Sequence, residues 1–133
     1  MFRVTREIRF CYGHRLLNYV GKCAHLHGHN AVVEVEFSAS VLDSRGMVID
    51  FEDIKVLVQS FLDETLDHRM ILSKKDPFSA WLKKEGEPVY EMEENPTAEN
   101  IAKLIYRSIQ ERKLPISRVR VWESPSACAE YSE

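Results

Sequence analysis

Few features of this 133-residue sequence suggest a membrane protein, a disulfide-built scaffold or a nucleic-acid-binding protein. No apolar run approaches about 18 residues and no charged-then-apolar leader is present, so we expect neither a membrane span nor a secretory signal. Lys and Arg are dispersed along a chain of net charge −3, which gives no basic cluster for nucleic acid but still allows a small phosphorylated ligand. The three cysteines, Cys11, Cys23 and Cys128, lack a framework spacing and favour free thiols in a reducing, cytoplasmic setting.

The composition is that of an ordinary globular protein, with 44% hydrophobic and 29% charged residues. The length is that of one domain, and we expect residues 1–133 to form a single domain. A core of this size is adequate but modest, so additional stabilisation by oligomerisation is expected.

Four strands are predicted from alternation and turn signals. Residues 2–14 and 27–37 alternate apolar and polar side chains with a period of two, which indicates half-buried strands. Residues 118–122 alternate in the same way, and a last short strand is expected at 127–131 after a Ser-Pro-Ser break.

Two amphipathic helices are predicted between these pairs of strands. Asp50 resembles an N-cap, and apolar residues follow it at helical spacing to about residue 65. The second helix begins at Asn95-Pro96-Thr97, with proline in its first turn, and ends at Lys113-Leu114-Pro115. The element order β-β-α-α-β-β predicts an α+β fold, in which two helices cover one face of an antiparallel sheet.

One long segment, residues 73–94, shows little periodicity. We predict that it forms a surface excursion, with a helical turn around residues 78–84.

The histidines of HGH, residues 27–29, indicate a metal site. Residues two apart in a strand point the same way, so His27 and His29 present both imidazoles on one face. If the first two strands pair antiparallel, His14 lies beside His27 and His29. Three neutral imidazoles suit a catalytic zinc ion, which uses three protein ligands and keeps one position open. Separate polar residues satisfied by backbone or water are the alternative, and His25 is expected in the preceding loop.

Other candidate residues lie near these histidines or at the ends of predicted elements. A thiol near a divalent cation has a lowered pKa, so Cys23 is a candidate base or nucleophile, or else a small buried apolar residue. Cys11 and Cys128 are expected to be structural. Asp67 and His68 close the first helix, either as a proton relay or as an exposed helix end.

Glu123 is predicted to lie on the apolar face of its strand, with Val119 and Val121. A carboxylate in that place needs a partner, because burying it unpaired is costly. A flat, bidentate donor such as an aminopyrimidinone edge would fit, and an internal arginine is the alternative.

Six stretches together carry a resemblance to a known family: FCYGHRL, CAHLHGH, GMVIDFEDIK, LDH, NPTAEN and VRVWES. They resemble the 6-pyruvoyl-tetrahydropterin synthase superfamily, in the same order and across nearly the whole chain. The bacterial 6-carboxy-tetrahydropterin synthase branch is the most similar, because three residues separate Cys23 from His27. In the animal pyruvoyl-forming enzymes the corresponding loop is two residues longer, and in a folate-linked branch glutamate stands in place of the cysteine.

The resemblance implies a role for each candidate residue. His14, His27 and His29 become zinc ligands, and Cys23 becomes the catalytic base. Asp67 and His68 become its relay partner. Glu123 becomes the catalytic-site anchor of the pterin ring, and Thr97 binds beside it.

The resemblance also implies a reaction and an assembly. The substrate is 7,8-dihydroneopterin triphosphate, and the products are 6-carboxy-5,6,7,8-tetrahydropterin, acetaldehyde and triphosphate, on the queuosine (7-deazaguanine) route. The fold is the tunnelling fold, whose subunits share sheets to close a barrel, with trimers stacked into a homohexamer and sites at subunit interfaces. Two alternatives stay open: a 6-pyruvoyl-tetrahydropterin synthase, and a pterin- or purine-binding module without catalysis.

Overall fold

The computed structural model describes all 133 residues and contains a six-stranded sheet with three α-helices. The order of strands across the sheet is β4-β3-β1-β2-β5-β6. The strands span Phe2–His14 (β1), His27–Ala39 (β2), Arg69–Ser73 (β3), Val89–Met92 (β4), Ile116–Ser124 (β5) and Ala127–Ser132 (β6). The helices span Phe51–Thr65 (α1), Pro77–Lys84 (α2) and Ala98–Gln110 (α3).

The first two strands form the long antiparallel hairpin that their alternation predicts. Their register runs from Phe2 opposite Ala39 to His14 opposite His27. The connection between them contains one turn of 3₁₀-helix, Lys22–Ala24. β5 extends the sheet antiparallel to β2, and β6 pairs antiparallel with β5. The hairpin register therefore brings the histidines together at the end closed by this connection.

Both predicted helices are confirmed, and each begins at a side-chain cap. Asp50 accepts a hydrogen bond of 2.8 Å from the backbone N–H of Glu52 at the start of α1. Thr97 caps α3 by accepting a bond of 3.3 Å from the N–H of Asn100. Both helices contribute to one core cluster with the sheet, so they cover the same sheet face.

The prediction of an entirely antiparallel, four-stranded sheet was wrong. β3 and β4 run parallel to each other, and β3 runs parallel to β1, so the sheet is mixed. α2 connects β3 to β4 within the segment predicted as a surface excursion, at the place where a helical turn was expected. Strands of five and four residues are too short to display a period of two.

The core is one cluster of 21 buried residues, drawn from β1, β2, β5, α1 and α3 with a few others. Alternate residues along each strand belong to it, as expected for a sheet with one covered face. The completely buried members with large side chains are Phe37, Ile54, Leu62, Leu66, Ile71, Ile101, Ile105 and Ile109. None of the helices is both long and apolar enough to span a membrane.

Candidate metal centre and substrate site

Three histidines converge at the end of the β1–β2 hairpin where the connection between the two strands begins and ends. One ring nitrogen from each of His14, His27 and His29 lies within 4.8 Å of the others. The ring centroids of His14 are 4.4 Å from His27 and 5.1 Å from His29. The geometry predicted from strand parity and antiparallel pairing is therefore confirmed.

Backbone carbonyls fix the orientation of two of these rings. Nδ1 of His14 donates to the carbonyl oxygen of Pro96 at 2.7 Å, and Nδ1 of His27 donates to that of His25 at 2.7 Å. Because a carbonyl oxygen can only accept, each Nδ1 carries the proton and each neutral ring keeps its lone pair on Nε2. Metal-binding histidines show the same arrangement, in which the second nitrogen is held by a hydrogen bond.

One of the three Nε2 atoms lacks the partner that a buried nitrogen normally has. Nε2 of His27 is buried and has no hydrogen-bond partner. Nε2 of His29 faces Nε2 of His14 at 3.2 Å. A buried acceptor without a donor costs free energy, and a cation between the three nitrogens would satisfy all of them. The donor set fits a transition-metal ion held by imidazoles.

Burial keeps His14 in the form that a metal ligand requires. Its side chain is 3% exposed, and this burial lowers the pKa of His14 below its ordinary value, even though the Pro96 carbonyl and the Glu123 carboxylate act to raise it. The imidazole is therefore neutral at neutral pH. His25 contributes only its backbone carbonyl and lies in the loop, as predicted.

The Glu123 carboxylate lies beside the histidine cluster. Its Oε1 is 3.8 Å from Nε2 of His14, and its Oε2 is 3.8 Å from Nε2 of His29. Its hydrogen-bond partner is not the internal arginine considered from the sequence but Tyr12, whose hydroxyl donates to Oε1 at 2.8 Å. Burial and the neighbouring carboxylate raise the pKa of Tyr12 well above its ordinary value, so the phenol stays a donor.

Two open cavities meet at Glu123. One, of about 300 Å³, is lined by Glu123 with Thr97, Leu16 and Ala129, so the two residues predicted to bind the ring share a cavity. The other, of about 620 Å³, continues past His29 along the sheet face and includes Arg9 and Trp122. A flat ring held at Glu123 would have space beside His29.

The remaining catalytic candidates are not all brought together within one chain. Asp67 and His68 form a second cluster with Cys11, in which Nδ1 of His68 donates to Oδ2 of Asp67 at 2.8 Å and the backbone N–H of Cys11 donates to Oδ1 at 2.9 Å. Cys23 lies in the 3₁₀ turn and belongs to neither cluster. Cys11, expected to be merely structural, is thus the thiol nearest to the relay pair.

Sequence reasoning missed two contacts that hold the site in place. Arg15, directly after His14, forms a two-point ion pair with the buried carboxylate of Asp76 before α2. The side chain of Asn95 binds both backbone groups of Leu17, at 2.9 Å and 2.8 Å. The Asp-Pro pair at 76–77 is a recognisable helix start, but nothing in the sequence indicates its partner.

The comparisons with known proteins agree on one family. The profile of the family described as 6-pyruvoyl tetrahydropterin synthase matches residues 3–133. A 6-carboxy-5,6,7,8-tetrahydropterin synthase of Rickettsia bellii is 35% identical over 98% of this chain and 99% of the relative. One from Haemophilus influenzae is 33% identical over 100% of both chains. The structure of Caenorhabditis elegans 6-pyruvoyl tetrahydropterin synthase superposes with a TM-score of 0.72, at 26% identity, over 99% of this chain and 95% of the other.

Proposed function

The chain belongs to the 6-pyruvoyl tetrahydropterin synthase family, and from this membership we propose that it is a zinc-dependent 6-carboxy-5,6,7,8-tetrahydropterin synthase. Its substrate is 7,8-dihydroneopterin triphosphate, and it releases acetaldehyde and triphosphate. The observation that carries the proposal is the cluster of three histidines, with an unpartnered buried Nε2, directly beside a carboxylate. A binding module would need the carboxylate but would have no use for such a cluster.

His14, His27 and His29 hold the zinc ion through their Nε2 atoms in this proposal. Three imidazoles and one open position are the ligand arrangement of catalytic zinc sites. Zinc supplies Lewis acidity toward the hydroxyls of the substrate side chain. Rings already fixed by the Pro96 and His25 carbonyls keep their lone pairs aimed at one point, which lowers the entropic cost of binding.

Glu123 and Thr97 bind the pterin ring. The aminopyrimidinone edge offers two adjacent N–H donors, and a carboxylate accepts both with charge-assisted hydrogen bonds. Thr97 lines the same cavity, with its hydroxyl at the N-terminus of α3. The Nε2 atoms of His14 and His29 are each 3.8 Å from an oxygen of Glu123. A ring anchored at Glu123 would therefore hold the substrate side chain next to these histidines.

Cys23, Asp67 and His68 move the protons. Cys23 acts as the base, the role that its place in the loop before the HGH motif implies in this family. The carboxylate of Asp67 orients Nδ1 of His68, so the free Nε2 of that ring exchanges protons with the substrate or with water. His68 is 78% exposed in the single chain, so its ring is accessible to both.

A homo-oligomer completes this arrangement in our proposal. Cys23 and the Asp67–His68 pair do not share a cluster within one chain, so we assign their meeting to an interface between subunits. β4 and β6 are edge strands with free backbone groups, and pairing them with neighbouring subunits would close a barrel. A hexamer of two stacked trimers would provide both the subunit interface for these residues and the partners for the edge strands.

The test is an analysis of products. The zinc-loaded protein is incubated with 7,8-dihydroneopterin triphosphate, and the pterin product and acetaldehyde are identified by mass spectrometry. A 6-carboxy product with acetaldehyde supports the proposal, and the Cys23→Ala variant with zinc bound should form neither. A 6-pyruvoyl product would replace the assigned reaction, and no turnover by zinc-loaded protein would favour a binding module.

A further inference from the structure

Tyr12 is a buried polar residue that the proposed chemistry does not use. Its side chain is 3% exposed, although it ends in a hydroxyl. The ring lies against the metal cluster, with its centroid 5.1 Å from that of His14 and 5.7 Å from that of His29. The hydroxyl reaches past these rings to Oε1 of Glu123 at 2.8 Å. The burial of a phenol at this position therefore needs a functional explanation.

The Glu123 carboxylate has two competing uses. Carboxylate oxygens bind zinc at about 2.0–2.2 Å, as imidazole nitrogens do at about 2.0–2.1 Å. Because its two oxygens are each 3.8 Å from a ligand Nε2, a small rotation would bring one of them onto an ion held by these nitrogens. A carboxylate bound there would fill the open position and would be lost as a ring anchor.

We propose that Tyr12 is a positioning residue that holds the Glu123 carboxylate away from the metal and free for the ring, an inference that rests on the proposed function. Movement of Oε1 onto the metal would break the hydrogen bond from Tyr12. The buried hydroxyl would then be left without an acceptor, which is unfavourable. Tyr12 thereby keeps the fourth metal position open for the substrate hydroxyls.

The test uses cobalt(II) as the probe, since its visible absorption reports the ligands of the ion without any turnover. Metal-free protein is titrated with Co²⁺ as wild type, Tyr12→Phe, Glu123→Gln and the double variant. Tyr106→Phe is the matched control, because Tyr106 is also buried and its hydroxyl donates to the Ile116 carbonyl at 3.4 Å, within the core.

Removal of the Tyr12 hydroxyl should let Glu123 bind the ion. In Tyr12→Phe the Co²⁺ spectrum should change, the Co²⁺ dissociation constant should fall about tenfold, and KM should rise more than kcat falls. The double variant should return to the spectrum of Glu123→Gln, and Tyr106→Phe should match wild type. A Tyr12→Phe spectrum and Co²⁺ affinity equal to those of wild type, in folded protein, would overturn the proposal. The Co²⁺ spectrum and the Co²⁺ affinity do not depend on turnover, so an inactive wild type would refute the reaction and not the role of Tyr12.

Discussion

The ion pair between Arg15 and Asp76 gives the most demanding test of how the site is supported. Asp76 has a fully buried side chain that accepts from Nε of Arg15 at 2.7 Å, from the second guanidinium nitrogen, and from the backbone N–H of Phe78 at 2.9 Å. It is therefore both the cap of α2 and the partner of Arg15, the residue directly after His14. Replacing it with alanine removes both interactions at once.

The expected loss follows from the two interactions. A lost N-cap costs about 1 kcal/mol, and lost hydrogen bonds between charged groups cost about 1.5–3 kcal/mol. Asp76→Ala should therefore lower the free energy of unfolding by about 3 kcal/mol. Asp50→Ala is the control, since Asp50 caps α1 with a similar bond of 2.8 Å but forms no ion pair, and it should cost about 1 kcal/mol.

Urea unfolding followed by circular dichroism, at one protein concentration, measures both values. The dependence on pH gives a second check. The hydrogen bonds from Arg15 hold the pKa of Asp76 below its ordinary value despite its burial. The stability that this carboxylate supplies is thus present at neutral pH and is lost as the pH falls through the lowered pKa. Equal losses for Asp76→Ala and Asp50→Ala at neutral pH would refute the reasoning.

Three further outcomes are expected. His27→Ala should abolish zinc retention, because two imidazoles remain, and full zinc occupancy by elemental analysis would contradict the assignment of three histidines. Glu123→Gln should weaken binding of a pterin by about tenfold or more while zinc stays bound, and calorimetry that finds unchanged affinity would place the anchor elsewhere. Mixing inactive Cys23→Ala and His68→Ala proteins should restore part of the activity, because some interfaces then pair the intact residues; a mixture as inactive as its components would locate the site within one chain.

The long elements of the fold could be predicted because each displays its own period. β1, β2, α1 and α3 are 13 to 15 residues long, enough for alternation or a helical stripe to be unmistakable. β3 and β4 could not be predicted in this way. They are short and parallel, and their pairing depends on a distant edge of β1 rather than on a local turn.

The cluster of three histidines could be predicted for a related reason. Strand parity aligned His27 with His29, and a single assumption, antiparallel pairing, added His14. The partners of Glu123 and Asp67 were not predictable, because Tyr12 and Cys11 contact them across 111 and 56 residues of sequence. Local patterns give the direction of a side chain but not what it meets at long range.

The uneven pairing of β1 has a consequence for where the strand opens locally. β2 accompanies this strand along its whole length, but β3 flanks it only at Tyr12–His14, next to the bond from the His68 N–H to the Cys11 carbonyl. Opening at the far end breaks bonds on one side, whereas opening at the histidine end breaks bonds on both. Amide hydrogen exchange along β1 should therefore become slower toward His14. Local opening is then concentrated at the Phe2 end, away from the end where the geometry of the three histidine nitrogens must be kept.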